Sequence, residues 1–240
     1  MTEEQPDVSS TLKIAIDGPA GAGKSTVAKL VAKRLGYLYL DTGAMYRAAT
    51  VLALRKGLSM EEPEIIAEAV AKAKIDLVPS ASSDGVPFLK VFLNDEDITS
   101  EIRGREVSLL VSPLSTIGSV RDSLVEQQRR LATNGGVVLD GRDIGTVVLP
   151  DAEVKIFLTA SAAIRAKRRL KEFELQGEEV SFNSVLTEIT ERDHRDMTRE
   201  IAPLRKATNA EEVNTDVMSI PEVVDAILLL CKKHSGSFSI

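Results

Sequence analysis

The stretch LKIAIDGPAGAGKST at residues 12–26 runs from a short apolar segment through a glycine-rich turn into a helix-forming sequence. Residues 12–17 predict a β-strand that leads directly into the glycines. Residues 24–35 carry apolar side chains at Val27, Leu30, Val31 and Leu35, which is the stripe of an amphipathic helix. Gly36 follows and is expected to end that helix. The order strand, glycine turn, helix decides how the rest of the chain is interpreted.

The glycine turn fits the phosphate-binding pattern G-x-x-x-x-G-K-[ST] from Gly18 to Ser25. Glycines let backbone N–H groups approach phosphate oxygens, and the following helix directs the positive end of its dipole to the same place. Lys24 would place its charge on the β and γ phosphates, and the Ser25 hydroxyl would ligate Mg²⁺. The sequence therefore predicts an ATP site formed by Gly18, Pro19, Ala20, Gly21, Ala22, Gly23, Lys24, Ser25 and Thr26.

A chance match to this pattern is the alternative, and average residue frequencies give it about one chain in a hundred of this length. The strand before the turn and the helix after it are the context that the pattern requires. We therefore expect a nucleotide-binding protein.

Further strands and helices alternate along the chain. Strands are predicted at residues 37–40, 137–139 and 154–158 and near Val213; helices are predicted at residues 44–55, 61–74, 124–132 and 221–232, the last capped by Ser219. This alternation indicates an α/β fold with a central parallel sheet between layers of helices. Residues 11–240 are interpreted as a single domain, after a flexible polar tail at residues 1–10.

Two segments interrupt the alternation. Residues 75–78 and 86–93 flank a loop rich in Ser, Asp and Gly, which predicts a hairpin-like insert within about 75–111. Residues from about 161 to 205 are long, helical and highly charged, and we interpret them as a lid that closes over bound phosphates and excludes water.

Composition narrows the range of functions. The net charge of −6 argues against binding to nucleic-acid polymers, which requires broad basic surfaces. The single cysteine, Cys231, lies in an apolar run and is expected to be a buried structural thiol. Neither a signal peptide nor a membrane-spanning segment is apparent, so a cytoplasmic protein without membrane association is expected.

Charged residues follow two of the predicted strands, at the edge where α/β sheets bind ligands. Arg47 lies on the helix after the second strand, where it could hold an acceptor phosphate; a surface arginine near a helix start is the less favoured alternative. Asp140 ends the strand 137–139 and suits a carboxylate that orders Mg²⁺. Arg142 and Asp143 come directly after it.

The lid segment carries two groups of charged residues at helical spacing. Arg165, Arg168 and Arg169 form the first, and Arg192, Asp196 and Arg199, with Arg195 nearby, form the second. For any one of these arginines a solvated helix face is the simpler interpretation. Together, however, they repel one another unless an anion or a carboxylate lies among them.

These features favour a small-molecule kinase within the P-loop class. The Asn-Lys-x-Asp motif by which GTPases bind guanine is missing from the sequence. A kinase for another nucleoside monophosphate or a small metabolite remains open, as does a nucleotide-binding regulator without catalysis, although a regulator does not need a second, arginine-lined site.

The chain resembles the bacterial cytidylate kinases, a branch of the nucleoside monophosphate kinase family, over nearly its whole length. The matching segments are GPAGAGKST, LDTGAMYRA, VFLNDEDIT with IRGREVS, GRDIGTVVLPDA, KIFLTAS, RAKRR and APL, together with Ser112 and Arg121. GRDIGTVV and the insert are much more specific than the glycine turn, which adenylate and thymidylate kinases share. The chain departs from the family pattern at Asn209 and Asn214, where aspartate is usual.

The resemblance implies a three-layer P-loop kinase fold, with the insert binding the nucleoside monophosphate. It implies in-line phosphoryl transfer from ATP to CMP and dCMP with Mg²⁺, by a monomer. Lys24, Asp140 and Arg142 would be catalytic, with Ser25 and Asp140 at the metal. The CMP site would comprise Arg47, Arg142 and Arg199 at the phosphate, Arg192 and Asp196 at the sugar, Ser112, Arg121 and Asp143 at the base, and Thr42 and Tyr46.

The base assignment also has a chemical reason. A carboxylate at Asp143 can accept a hydrogen bond from the cytosine amino group, whereas uracil presents a carbonyl at that position. Because an unpaired buried polar group is unfavourable, CMP is expected to be preferred over UMP.

Overall fold

The computed structural model describes residues 11–81, 87–175 and 177–234. Its strands are β1 at Lys13–Asp17, β2 at Leu38–Asp41, β3 at Ile75–Ala81, β4 at Pro87–Leu93, β5 at Glu96–Asp97, β6 at Val137–Gly141, β7 at Val154–Thr159 and β8 at Glu211–Asn214. Five of them form a parallel sheet in the order β2-β6-β1-β7-β8. The predicted α/β class and central parallel sheet are confirmed. The predicted tail at 1–10 lies outside the described residues.

The pairing register of β1 and β6 places the glycine turn and the loop that begins at Arg142 side by side. Ile16 of β1 pairs with Asp140 of β6, and Asp17 pairs with Gly141. The chain then leaves β1 into the glycine turn and leaves β6 into Arg142. Because the strands are parallel, both loops emerge at the same edge of the sheet.

Eight α-helices surround the two sheets in the described part of the chain. They are α1 at Lys24–Leu35, α2 at Thr42–Arg55, α3 at Pro63–Lys72, α4 at Arg105–Leu114, α5 at Gly118–Leu131, α6 at Ala162–Leu175, α7 at Phe182–Thr198 and α8 at Ile220–His234. Short turns of other helix types lie at Glu101–Arg103 and Ile144–Val148. Gly36 ends α1 in the left-handed conformation with φ 68°, as predicted.

The parallel sheet is covered on both faces because the side chains of β1 alternate. Ile14 and Ile16 belong to a core cluster that also contains residues of α1 and α8. Ala15, between them, belongs to a second cluster with Val125 of α5. Cys231 of α8 is 2% exposed, and burial raises the pKa of its thiol to about 11. The expectation of a buried structural thiol is confirmed.

The α8 terminus confirms Ser219 as the cap. The Ser219 hydroxyl accepts from the Glu222 backbone N–H at 3.5 Å, and the Glu222 carboxylate accepts from the Ser219 N–H at 2.7 Å. This reciprocal pair is a capping box. The helix begins at Ile220, one residue before the predicted start.

The predicted hairpin is an antiparallel pair of strands, β3 and β4, to which the short strand β5 is added. Asn94 and Asp95 make the turn between β4 and β5 with positive φ angles of 50° and 67°. Such backbone is typical of tight hairpin turns, and Asn and Asp adopt it more readily than most residues. The loop predicted at its other end falls partly on residues 82–86, outside the described residues.

Helix α4 was not predicted, and α5 begins six residues before its predicted start at Leu124. The signal for α4 is present in the sequence, since Val107, Val111 and Leu114 follow helical spacing and are all buried. Pro113 obscures it, but this proline lies in the last turn, where it breaks little of the helix.

The charged segment at 161–200 forms two helices, α6 and α7, which carry the two predicted groups of arginines, with Arg199 directly after the end of α7. Gly177, with φ 76°, follows the end of α6, and Ser181 begins α7 by accepting a hydrogen bond from the Ser184 N–H at 3.1 Å. Ala166, Val185 and Ile189 form a small core between them. The two helices therefore pack on each other through a cluster separate from the main core.

Candidate active site

The glycine turn has the backbone geometry that its sequence requires. Gly18 has φ 148°, and a Cβ atom there would lie 2.1 Å from the Leu158 carbonyl oxygen of β7. Gly21 and Gly23 have φ angles of 76° and 93°, in a region that other residues rarely adopt. The turn thus passes too close to β7 for any side chain at Gly18, and its conformation depends on glycine.

Lys24 is buried at the start of α1, and its ammonium group donates to the Pro19 carbonyl at 2.7 Å. Burial, and next the nearby guanidinium of Arg142, hold the pKa of Lys24 well below its usual value, while Asp140 opposes the shift. A lysine in such surroundings is stabilised in its charged form by any further anion. Lys24 is therefore well placed for a phosphate.

Arg165 of α6 makes contacts that differ from the expected ones. It donates to the Ala20 carbonyl of the glycine turn at 3.1 Å, to the Ala160 carbonyl at 2.9 Å, and to the Asp193 carboxylate of α7 at 3.0 and 2.5 Å. All of its guanidinium nitrogens thus have protein partners. The structure places Arg165 as a brace that joins α6 and α7 to the back of the glycine turn.

Arg168 and Thr215 hold the next two carbonyls of the same turn. Arg168 donates to the Gly21 carbonyl at 3.4 Å and to the Thr215 carbonyl at 2.8 Å, and the Thr215 hydroxyl donates to the Ala22 carbonyl at 3.2 Å. The carbonyl groups of the turn therefore have side-chain donors outside it. The start of α1 has no side-chain cap, so its N–H groups remain available to a phosphate.

Ser25 and Asp140, the residues predicted for Mg²⁺, are brought together. The Ser25 hydroxyl donates to one Asp140 carboxylate oxygen at 2.9 Å, and the Tyr39 hydroxyl donates to the other at 2.8 Å. Burial, and next the charge of Asp41, raise the pKa of Asp140 to about 6, against the opposing charge of Lys24. A hydroxyl and a carboxylate are oxygen ligands of the kind that Mg²⁺ takes alongside water and phosphate.

Tyr39 was missed by sequence reasoning. It lies in β2 and was counted only as part of a strand, because nothing local indicates that its hydroxyl reaches β6. The pairing of β2 with β6 places it there. Thr42, expected in the CMP site, is buried and donates to the Asp140 backbone carbonyl at 2.7 Å, so its hydroxyl is already engaged.

Asp143, on the loop after β6, lies between two arginines. Its carboxylate accepts from Arg121 of α5 in a short, buried ion pair, and from Arg199 at 3.3 Å. Arg121 also lies 5.6 Å from the centre of the Tyr46 ring. Four residues expected in the CMP site are thus in one buried group.

Arg142 and Asp196 form a second ion pair across the same cleft, with Nε to carboxylate at 2.8 Å. Arg192, one turn before Asp196, is half-buried, and its buried Nε atom has no hydrogen-bond partner among the described residues. Burial, and next the charge of Arg142, lower the pKa of Arg192 to about 10. An unpaired, buried N–H group is unfavourable and indicates the place of a missing acceptor.

Five cations converge between the glycine turn and α7. Each is close enough to others to affect their protonation, and the group consists of Lys24, Arg47, Arg142, Arg169 and Arg192. We call this group the cation cluster. Mutual repulsion disfavours this group in the absence of a ligand, and burial adds to the cost at Lys24; an oligophosphate would offset both.

Arg47 and Arg169 also have contacts at the edge of this cluster. Arg47 donates to the Ser108 hydroxyl at 3.0 Å and to the Ile102 carbonyl at 3.2 Å. Arg169 pairs with Glu172 at 2.7 Å and lies over the Phe173 ring at 4.5 Å. Arg47 is therefore half-buried and held by neighbouring residues, whereas Arg169 keeps 44% of its side chain exposed despite its contacts.

A cavity of about 380 Å³ opens beside Asp196 and Arg199, between the end of α4 and the end of α7. Its lining comprises Ser112, Pro113, Ser115, Thr116, Arg195, Asp196, Thr198 and Arg199. Its volume is within the range of small-molecule sites. Four of the predicted residues, Ser112, Arg195, Asp196 and Arg199, are part of this lining.

The two asparagines that depart from the family pattern have structural contacts. Asn209 accepts a hydrogen bond from the buried ammonium of Lys155 at 3.1 Å. Asn214 accepts from the Asp216 N–H at 2.8 Å. Both amides stabilise the chain around β7 and β8.

Comparison with known proteins decides the family. A family model described as cytidylate kinase matches residues 14–233. The chain belongs to the cytidylate kinase family. A cytidylate kinase of Lactiplantibacillus plantarum is 51% identical over 226 residues, 94% of this chain and 97% of the relative. One of Carboxydothermus hydrogenoformans is 52% identical over 217 residues, 90% and 96% of the two chains.

A third relative is longer. The bifunctional pantoate ligase/cytidylate kinase of a Nostoc species is 51% identical over 216 residues, 90% of this chain and 40% of that protein. The resemblance drawn from the motifs is confirmed, and so is the assignment as a phosphotransferase of the P-loop kinase class. The roles of the individual site residues in this cytidylate kinase family member stay predictions.

None of the helices in the described part of the chain is long and apolar enough to cross a membrane. The described residues also contain no group of three or more His, Cys, Asp or Glu side chains that could hold a metal ion. A Mg²⁺ ion at Ser25 and Asp140 would therefore complete its coordination with water and phosphate oxygens. The monomeric state and the cytoplasmic location stay predictions.

Proposed function

We propose that this member of the cytidylate kinase family transfers the terminal phosphoryl group of ATP to CMP and dCMP. The observation that carries the proposal is the cation cluster, which links Lys24 of the glycine turn to Arg142, the ion-pair partner of Asp196 in the lining of the α4–α7 cavity. A donor triphosphate in the turn and an acceptor monophosphate in the cavity would place their phosphates on these cations. The names of the relatives support CMP as the acceptor.

The donor side would be formed by the glycine turn. On binding ATP, the Lys24 ammonium would exchange the Pro19 carbonyl for phosphate oxygens, at little rearrangement of the buried side chain. Ser25 and Asp140 would hold Mg²⁺, which neutralises charge on the β and γ phosphates when bound. Tyr39 would keep the Asp140 carboxylate oriented.

The acceptor side would be formed by the two ion pairs. Asp143 accepts from Arg121 and Arg199, yet a carboxylate has about four acceptor positions, so it can also accept from the cytosine amino group. Arg142 would release Asp196 and bind the CMP phosphate, leaving Asp196 free to accept from the sugar hydroxyls. Arg192 would direct its unpaired Nε to an acceptor in the same space.

The protein's contribution to the reaction is position and charge. Phosphoryl transfer requires the attacking and leaving oxygens in line and positive charge around the transferring group. The cation cluster supplies that charge in a buried site, where electrostatic interactions are strong. Attack by a CMP phosphate oxygen would give CDP and ADP directly, with no covalent enzyme intermediate.

An assay of ADP release with CMP, dCMP, UMP and AMP as acceptors tests the proposal. We expect acceptor-dependent release that is highest with CMP and dCMP. Highest turnover with AMP would instead support the kinase for another monophosphate. ADP release that does not depend on any acceptor would contradict a kinase acting on nucleoside monophosphates.

A further inference from the structure

Asp17, at the end of β1, is a buried carboxylate that the proposed mechanism does not use. It is 4% exposed and precedes Gly18, the first residue of the glycine turn. Its two oxygens accept from the Ile144 N–H at 2.8 Å and from the Gly145 N–H at 2.7 Å. Asp17 is thus attached by the backbone to the donor site and by hydrogen bonds to the loop after β6.

The two N–H groups begin the short helical turn at Ile144–Val148. Its later N–H groups bond within the turn: Val147 and Val148 donate to the Asp143 carbonyl at 2.8 and 3.1 Å, and Leu149 donates to the Ile144 carbonyl at 2.7 Å. Ile144 and Gly145 have no partner earlier in the turn, as is usual for the first residues of a helix. The Asp17 carboxylate, at the end of β1, therefore caps the Ile144 and Gly145 N–H groups of this turn.

The neighbourhood of Asp17 leaves the carboxylate little freedom. A Cβ atom on Gly145 would lie 3.4 Å from an Asp17 oxygen and 3.2 Å from Cδ of Lys155. The charges that act on Asp17 are those of Asp143, on the same loop, and Lys24, on α1. A side chain packed this closely fixes the loop that it holds to within a narrow range of positions.

We propose that Asp17 is a positioning residue that sets the Arg142–Asp143 segment relative to the glycine turn. This inference rests on the proposed function, because it assigns Arg142 and Asp143 to the acceptor. The two hydrogen bonds hold the backbone immediately after these residues. Their loss would let the acceptor-binding side chains shift while the glycine turn, built on β1 and α1, keeps its own contacts.

Asp17→Asn is the most informative variant, because asparagine keeps the shape but turns one acceptor oxygen into an N–H donor. Burial is the main cause that raises the pKa of Asp17 to about 6, so the ionised carboxylate is held against its own desolvation. Removing the charge therefore takes away no net stabilisation by that charge. We expect a melting temperature within about 5 °C of the wild type.

The expected kinetic result is selective for the acceptor. In Asp17→Asn, kcat/KM for CMP should fall about 10- to 100-fold, the range for one lost hydrogen bond to a charged group, while KM for ATP changes less than about twofold. Asp151→Asn is the matched control, since Asp151 is an exposed carboxylate paired with Lys13 at the other end of β1. It should leave both constants unchanged.

A second variant perturbs the same hydrogen bond from the opposite side. Gly145→Ala places its methyl group against the Asp17 carboxylate and the Lys155 side chain, at a position whose φ angle alanine can adopt. We expect the same acceptor-selective defect, about threefold to tenfold in kcat/KM. This variant keeps the proposal testable should Asp17→Asn fold poorly.

Hydrogen exchange of residues 141–148 gives a readout that does not depend on activity. Exchange should be faster in Asp17→Asn and unchanged in Asp151→Asn. Unchanged exchange, wild-type kcat/KM for CMP, or equal rises in KM for ATP and CMP would each overturn the positioning role. A wild-type protein inactive with CMP would contradict the proposed function instead, and the exchange result would still decide whether Asp17 holds the loop.

Discussion

Asp143 accepts hydrogen bonds from two buried guanidinium groups, and the same carboxylate is proposed to bind the cytosine amino group. The two demands are compatible because a carboxylate has several lone pairs. The two arginine contacts also determine which substitution can test the role of Asp143 in base binding. Replacement by alanine would leave Arg121 and Arg199 buried beside no anion, which destabilises a protein by about 3 to 5 kcal/mol.

Asp143→Asn is therefore the better test of base selection. Its amide keeps an oxygen for one arginine and offers an N–H to the uracil carbonyl, so kcat/KM for CMP relative to UMP should fall at least about tenfold. Steady-state kinetics with both acceptors measures this ratio. Asp122→Asn, an exposed neighbour of Arg121, serves as control. A ratio that stays at the wild-type value would remove Asp143 from base selection.

Asp17 also predicts an unusual pH dependence of stability. Because its folded-state pKa is raised from 3.8 to about 6, the protonated form is favoured in the folded protein. The stability this group contributes is present below about pH 4 and is lost as the pH rises through 6, by about 3 kcal/mol in all. Asp17→Asn lacks the titration, so its free energy of unfolding should rise relative to the wild type over this interval.

Urea unfolding of both proteins at several values between about pH 4 and about pH 7.5 measures this difference. Asp140 titrates in the same region but is present in both proteins, so the comparison isolates Asp17. A difference that does not vary with pH would mean that the pKa of Asp17 is ordinary.

The glycine turn owes its shape to elements far away in sequence. Its carbonyl groups are held by α6 through Arg165 and Arg168 and by Thr215 after β8. Arg165 is fixed in turn by Asp193 of α7. Helices α6 and α7 are thus attached to the back of the glycine turn, and the contact from α7 depends on the Arg165–Asp193 ion pair.

Arg165→Lys tests this attachment. Lysine keeps the charge but cannot bond Ala20, Ala160 and Asp193 together with a planar fork. We expect kcat/KM for ATP to fall about tenfold or more, with a smaller change in KM for CMP. Lys167→Ala, at an exposed position of the same helix, should match the wild type in both constants. Equal behaviour of the two variants would show that the brace is not needed.

The predicted helices and strands show which structural features are determined by the local sequence. β1, the glycine turn and α1 were predicted because a strand, a motif and an apolar stripe coincide in one stretch. The hydrogen-bond partner of each arginine was not predicted, because Arg165 and Arg192 look alike in sequence. Arg165 has a partner for every guanidinium nitrogen, whereas the Arg192 Nε atom has none within residues 11–81, 87–175 and 177–234. Tertiary packing distinguishes the two arginines, and the helical periodicity of the sequence contains no signal of that difference.

In the molecule as a whole, a net charge of −6 coexists with a cluster of five cations. Composition argues against a broad basic surface, but it cannot reveal a local group of cations. The parallel register of β1 and β6 brings two of them, Lys24 and Arg142, together from positions more than a hundred residues apart, and helices α2, α6 and α7 supply the other three. The sequence motifs identified both loops, the glycine turn and the loop that begins at Arg142, and the fold brings the two loops close together.

The buried Cys231 makes this chain convenient for spectroscopy. It is the single thiol in the sequence, it is 2% exposed, and its pKa of about 11 keeps it protonated at neutral pH. Maleimide dyes react with accessible thiolates, so a cysteine introduced at exposed Leu175 or Ile65 can be labelled without first removing the native one. Fluorophores at these two sites can report the separation of α6 and α3 as nucleotides are added.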